Sequence, residues 1–114
     1  MSLSARNWAY AVQSIRVDGQ MRRLHPIEKF VLVYIAEMEN VEEGFAFPSH
    51  DTIADVIGCS VRTVQSHTAT LATAGAFTIE KRRSRSGKWF RNVYVFDVPQ
   101  RFRDSDPEWM RLHC

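Results

Sequence analysis

Two short runs of this sequence hold the side chains best able to act on a partner. In the first, Ser60 is followed by Arg62, Thr63, Gln65 and Ser66, a cluster of hydrogen-bonding groups at helical spacing. The amide of Gln65 suits a paired contact with adenine, and the guanidinium of Arg62 suits guanine or a phosphate. In the second, Lys81, Arg82, Arg83, Arg85, Lys88 and Arg91 crowd the interval 81–91 with no acid among them. Cations at that density neutralise phosphates and release counterions. Metal and covalent chemistry find far less support. His25, His50, His113 and Cys59 share no ligand spacing, and His67 reads as an inward-facing boundary residue. Glu42 and Glu43 read as a loop rather than a catalytic pair, and Asp97 alone is too few carboxylates for a metal-dependent nuclease. No phosphate-cradling glycine loop and no nucleophile with a partnered base is found. The expectation is a non-enzyme with no catalytic residues, no metal, no cofactor and no small-molecule substrate.

The elements that must position the two runs follow from periodicity and punctuation. Residues 1–25 are the least defined: Ala5, Trp8, Val12 and Ile15 recur at helical spacing, while Trp8, Tyr10 and Val12 also alternate, and Asp18-Gly19 marks a turn. A short helix followed by an irregular arm is expected there. Pro26 suits the first turn of a helix, and Ile27, Phe30, Val31, Tyr34, Ile35 and Met38 form an apolar stripe running to about Asn40. Phe45 to Pro48 reads as an extended link. Ser49 caps a helix through Ile53, Ala54 and Ile57 that Gly58 stops. Ser60 caps the next helix, through Val64, His67, Thr68 and Leu71 to Gly75. Two capped helices joined by Gly58-Cys59-Ser60 make a helix–turn–helix, with the small Ala54 where they cross. Phe77 to Glu80 leads into the basic run, Ser84-Arg85-Ser86-Gly87 forms a tip, and Trp89 to Val98 returns as a strand that Pro99 ends. Phe90, Asn92, Tyr94, Phe96 and Val98 share one face of it. The tail, 99–114, carries a short helix around Pro107 to Leu112 with Trp109 as anchor.

A helical pair followed directly by a basic hairpin is a winged helix. The fold class is therefore α+β, a winged helix–turn–helix with a three-helix core and a C-terminal hairpin wing. Residues 1–25 form an N-terminal arm, 26–98 the binding domain, and 99–114 the tail. The helix after Ser60 is narrow enough to enter a major groove, so the expected partner is double-stranded DNA, with Ser60, Arg62, Thr63, Gln65 and Ser66 on the helix and Lys81, Arg82, Arg83, Arg85, Lys88 and Arg91 on the wing.

Charge and composition agree with that reading. A chain of 114 residues with net charge +2 makes one domain, and its net charge alone does not call for a polyanion. The distribution is more telling: Glu37, Glu39, Glu42, Glu43, Asp51 and Asp55 occupy an interval with no Lys or Arg, ahead of the basic run. Two distant, dissimilar cysteines, the absence of a signal-like start, and an apolar run (Phe30 to Ala36) too short for a bilayer point to a cytoplasmic, nucleoid-associated protein with no membrane partner.

The stretches FPSHDTIADVIGCSVRTVQ, LATAGAFTIEKR and NVYVF, preceded by NWAYAV and LHPIEKFVLVYIAEM, resemble the winged helix–turn–helix domains of phage and plasmid replication initiators and related bacterial DNA-binding regulators. The resemblance spans about residues 7–98. It implies duplex binding at replication origins or at promoters, as a transcription regulator or a replication-initiation or accessory factor. One departure matters: such domains often carry Arg or Lys through the middle of the recognition helix, where this chain has Ser66, Ala69 and Thr70. Phosphate binding then shifts to the wing, and a homodimer or an array of sites becomes attractive. A protein-docking winged helix without DNA readout is the competing reading, motivated by the acidic interval and by Trp8 and Trp109 as interface aromatics.

Overall fold

The computed structural model describes residues 2–83, 86–88 and 90–113. Arg85 of the basic run, together with Ser84 of the tip, Trp89 at the start of the return strand and Cys114, lies outside the described residues. The chain order is α1 (Leu3–Ala11), β1 (Ser14–Val17), β2 (Gln20–Arg23), α2 (Pro26–Glu37), α3 (His50–Ile57), α4 (Val61–Thr73), β3 (Thr78–Arg83), β4 (Phe90–Val95), α5 (Gln100–Asp104) and α6 (Pro107–His113). Helices α2, α3 and α4 pack on one another, and the antiparallel β3–β4 hairpin follows. This is an α+β winged helix–turn–helix.

Two repeated local signals set the helical pair. Ser49 Oγ accepts from the N–H of Thr52 at 3.1 Å, and Ser60 Oγ accepts from the N–H of Thr63 at 3.1 Å. Each cap satisfies a donor that the helix itself leaves without a partner. Gly58 ends α3 with φ of 82°, a left-handed conformation that costs glycine little. Ile53 and Ala54 of α3 and Val64 and Leu71 of α4 then enter a core shared with Val31, Leu32 and Ile35 of α2 and with Phe77, Tyr94 and Phe96. The 45–48 link is extended as expected: Ala46 and Tyr94 exchange backbone hydrogen bonds of 2.7 and 3.0 Å, so the link lies alongside β4.

The apolar stripe of α2 differs from the one read off the sequence. Ile27 and Phe30 are exposed, and the buried positions are Glu28, Val31, Leu32, Val33, Ile35 and Ala36, with Glu39 just beyond the helix end. The core-facing series 28, 31, 32, 35, 36, 39 keeps helical spacing but opens and closes on a carboxylate, so an apolar count rotates the stripe towards Ile27 and Phe30. The N-terminal arm is also more ordered than expected. After α1, Asp18 (φ 52°) and Gly19 (φ 79°) form a two-residue turn with both dihedrals positive, the geometry of a tight hairpin, and β1 pairs with β2. The return strand is shorter than its expected span, and Phe90 is exposed while Tyr94, Phe96 and Val98 of the same face are buried.

The C-terminal segment is tied to the N-terminus through a buried polar cluster. Arg103 makes a two-pronged contact with Glu39 (2.7 and 3.0 Å), donates to Ser4 Oγ at 2.8 Å, and lies 3.5 Å above the ring of Trp109. Asp106 accepts from the amide (2.9 Å) and hydroxyl (2.7 Å) of Ser4 and from the amide of Trp109. Its carboxyl is lowered: burial pushes it up, but the Ser4 and Trp109 donors and the charge of Arg103 outweigh that. Glu39 and Arg103 are both almost wholly buried, so removing one leaves the other charged in a poor solvent. Arg103→Ala is expected to lower unfolding free energy by about 3–5 kcal/mol in urea titrations. A loss under about 1 kcal/mol would show that the cluster does not clamp the two termini.

Candidate nucleic-acid interface

Helix α4 presents one face to its neighbours and one to solvent. Val64, Thr68 and Leu71 are buried, while Arg62, Gln65, Ser66, Ala69 and Thr73 form an exposed stripe at helical spacing. Three of the expected readout residues, Arg62, Gln65 and Ser66, therefore stand together on the open side. Ser60 is exposed, but its hydroxyl serves the cap and also lies 2.9 Å from the hydroxyl of Thr63, which is half-buried. These two side chains shape the start of the helix before they meet anything else.

The wing cations divide between two faces of the hairpin. Register places Lys81 opposite Asn92, Arg82 opposite Arg91 and Arg83 opposite Phe90. Alternation puts Lys81 and Arg83 on the face of Ile79 and Tyr94, which belongs to the same core as α4. Arg82 and Arg91 fall on the opposite face, with Glu80 and Val93. There the guanidinium of Arg82 lies 4.5 Å from the ring of Phe45 and 3.1 Å from Glu80 Oε1, and that of Arg91 lies 4.0 Å from the ring of Phe47. Cation–ring stacking explains how two like charges tolerate directly opposed positions in the ladder. Lys88 is exposed near the tip. Lys81 and Arg83 thus share the hairpin face of Ile79 and Tyr94, where the guanidinium of Arg83 lies 5.1 Å from the ring of Phe90, while Arg82 and Arg91 lie over the aromatic link.

A second buried carboxylate fixes what surrounds α4. Glu28, at the start of α2, takes a two-pronged contact from Arg22 of β2 (2.8 Å to each oxygen) and accepts from the backbone N–H of His25 at 2.9 Å. His67 of α4 faces this group, with Nδ1 3.9 Å from Glu28 Oε2. The Arg22 contact holds the Glu28 carboxyl far below the usual range, at about 2, against the opposing effect of burial and with help from the His25 amide. Lys29 donates to the carbonyls of Tyr10 and Val12 near the end of α1, and burial, aided by the charge of Arg23, lowers its pKa.

Sequence reasoning did not find the cations of the β1–β2 hairpin, Arg16 and Arg23, which are exposed, nor the use of half-buried Arg22 as the partner of a buried carboxylate. The available signal was Asp18-Gly19 between Ile15/Val17 and Met21, a two-residue hairpin loop. Trp8 and Trp109, weighed as interface aromatics, are engaged within the chain: Trp8 meets Phe96 edge-on at 5.8 Å, and Trp109 is sandwiched between Arg103 and the ring of His113. Among the described residues no group of three His, Cys, Asp or Glu side chains converges as a metal would require, and no helix is long and apolar enough to cross a membrane.

Residues 22–75 match the helix-turn-helix domain family, a span that takes in the end of β2 and all three core helices. A solved structure from Methanosarcina mazei Go1, a possible transcriptional regulator, is similar over 89% of this chain and 85% of its own, at 12% identity and a TM-score of 0.47. So distant a likeness carries no weight for function. Among curated proteins none matches.

Because Glu28 has a lower pKa folded than unfolded, its contribution is complete above the unfolded value near 4.5 and is lost as pH falls towards 2. Glu28→Gln should cost about 2 kcal/mol at pH 7, allowing for the partly exposed Arg22, and the gap from the parent should narrow below about pH 4.5 and close only as pH falls through about 2. Urea titrations of both proteins across that range check it. A gap independent of pH would mean that the charge of Glu28 is not what stabilises the contact.

Proposed function

We propose that this chain binds double-stranded DNA, with α4 in the major groove and the β3–β4 hairpin against the adjoining backbone or minor groove. The observation that carries the reading is the exposed stripe of a doubly capped helix pair, bearing Arg62, Gln65 and Ser66, next to a hairpin whose near face carries Lys81 and Arg83. Gln65 and Arg62 supply base readout through their paired donor and acceptor geometry. Lys81, Arg83 and Lys88, with Arg85, neutralise phosphate. Arg82 and Arg91 take part less directly, through the long-range field of the wing, because Phe45 and Phe47 of the link lie against their guanidinium groups, whereas the ring beside Arg83 is the exposed Phe90 of the wing itself. Regulation of transcription and an accessory role in replication initiation both need this same face. A single copy offers few base contacts, which favours two copies on an inverted repeat.

Selection of bound duplexes from a random pool, followed by titration of variants on the enriched site, tests the reading. Arg62→Ala and Gln65→Ala should each cost roughly 1–3 kcal/mol on that site and much less on unrelated duplex. Lys81→Ala with Arg83→Ala should weaken all sequences alike and flatten the log–log salt dependence by about 0.9 for each phosphate that is no longer neutralised. An enriched inverted repeat would fit a dimer. Unchanged affinity and salt slope in the wing variant would show that the binding face lies elsewhere.

A further inference from the structure

The exposed stripe of α4 is short of positive charge. Beyond Arg62 it runs through Gln65, Ser66, Ala69 and Thr73, none of them cationic. A helix seated in a groove has phosphates along its borders, and contacts to them fix its register on the duplex. The β1–β2 hairpin stands beside this uncharged half. Arg16, Val17 and Asp18 from the hairpin and Ala69, Thr70 and Thr73 from α4 line a common groove of about 260 Å³. The hairpin is held in place from below: Ile15 is in the core, and Arg22 is locked to buried Glu28.

Register and alternation decide which of its cations remain available. Ile15, Arg22 and Val17 share the inward face, while Arg16 and Arg23 share the outward face with Ser14 and Met21. Both Arg16 and Arg23 are exposed, and neither has a carboxylate partner among the described residues. Arg16 Nη1 donates to the carbonyl of Gly19 at 3.0 Å, which holds the guanidinium at the turn beside α4 with further N–H groups unspent. Asp18 is the one acid of the hairpin.

We propose that the β1–β2 hairpin is a second DNA-contacting element, in which Arg16 and Arg23 bind phosphates of the strand bordering the cation-free half of α4. This rests on the reading of α4 as the DNA-facing helix. Arg22 is excluded from the role because Glu28 already occupies its guanidinium.

The test compares the full-length parent with Arg16→Ala/Arg23→Ala, with Asp18→Asn, and with Arg111→Ala on the far α6, each titrated onto the selected duplex over a range of salt. With two phosphates left without their arginines, affinity should fall on the order of tenfold or more at 0.1 M salt and the log–log slope should flatten by about 1.8. Asp18→Asn removes an anion while keeping a residue that tolerates positive φ, and should bind more tightly. Arg111→Ala should match the parent. An arginine pair whose removal changes neither affinity nor slope, while Lys81→Ala/Arg83→Ala weakens binding, overturns the hairpin's role and leaves the DNA reading standing. Should the arginine variant fail to fold by circular dichroism, Asp18→Asn decides: level or weaker binding counts against the hairpin. A parent without duplex affinity at low salt defeats the function itself.

Discussion

A carboxylate with almost no access to water must find a cation, and helix α2 carries one near each end. Glu28 meets Arg22 and so pins the β1–β2 hairpin to the start of α2, within reach of His67 on α4. Glu39 meets Arg103 and so pins α5 to the end of the same helix and, through Ser4, to α1. Between the two ion pairs α2 is apolar on its core side, and α4 packs there through Val64 and Leu71. The position of α4 relative to both hairpins therefore follows from one helix whose buried stripe is closed by charge. Such pairs contribute little net stability compared with apolar packing, but a broken one is costly, which favours a single arrangement over near alternatives.

The same constraint sorts the arginines. Arg22 and Arg103 are partners of buried acids, Arg82, Arg83, Arg91 and Arg101 lie over aromatic rings, and Arg16, Arg23, Arg62 and Arg111 face solvent. In composition they are one residue type on a nearly neutral chain. In the fold they divide by environment, and among the exposed ones Arg62 lies on α4 and Arg16 beside it.

The helix–turn–helix is legible in the sequence because its signals are local. Ser49, Gly58 and Ser60 announce their roles within one turn of chain, and the structure places caps and a left-handed stop at those positions. The stripe of α2 is not legible in the same way, because Glu28 and Glu39 are buried for reasons that lie 6 and 64 residues away, at Arg22 and Arg103. Four-residue strands rich in arginine hide the first hairpin, since Ile15 and Val17 alone make too brief an alternation to stand out. On the wing, the density of basic residues is plain, but its division between two faces depends on register and on Phe45 and Phe47 arriving from the link. Of the candidate site, the side chains on α4 can be named from spacing alone, whereas the flanking surface cannot.

The most direct measurement is residue-resolved: backbone amide chemical shifts of the isotope-labelled protein, followed while a selected duplex is added. Shifts concentrated on residues 60–73, on β3 and β4, and on the turn at Asp18-Gly19, with α5 and α6 quiet, are expected if α4 is the helix that enters the groove. Shifts confined to α5, α6 or the exposed side of α2, with α4 unmoved, would contradict it.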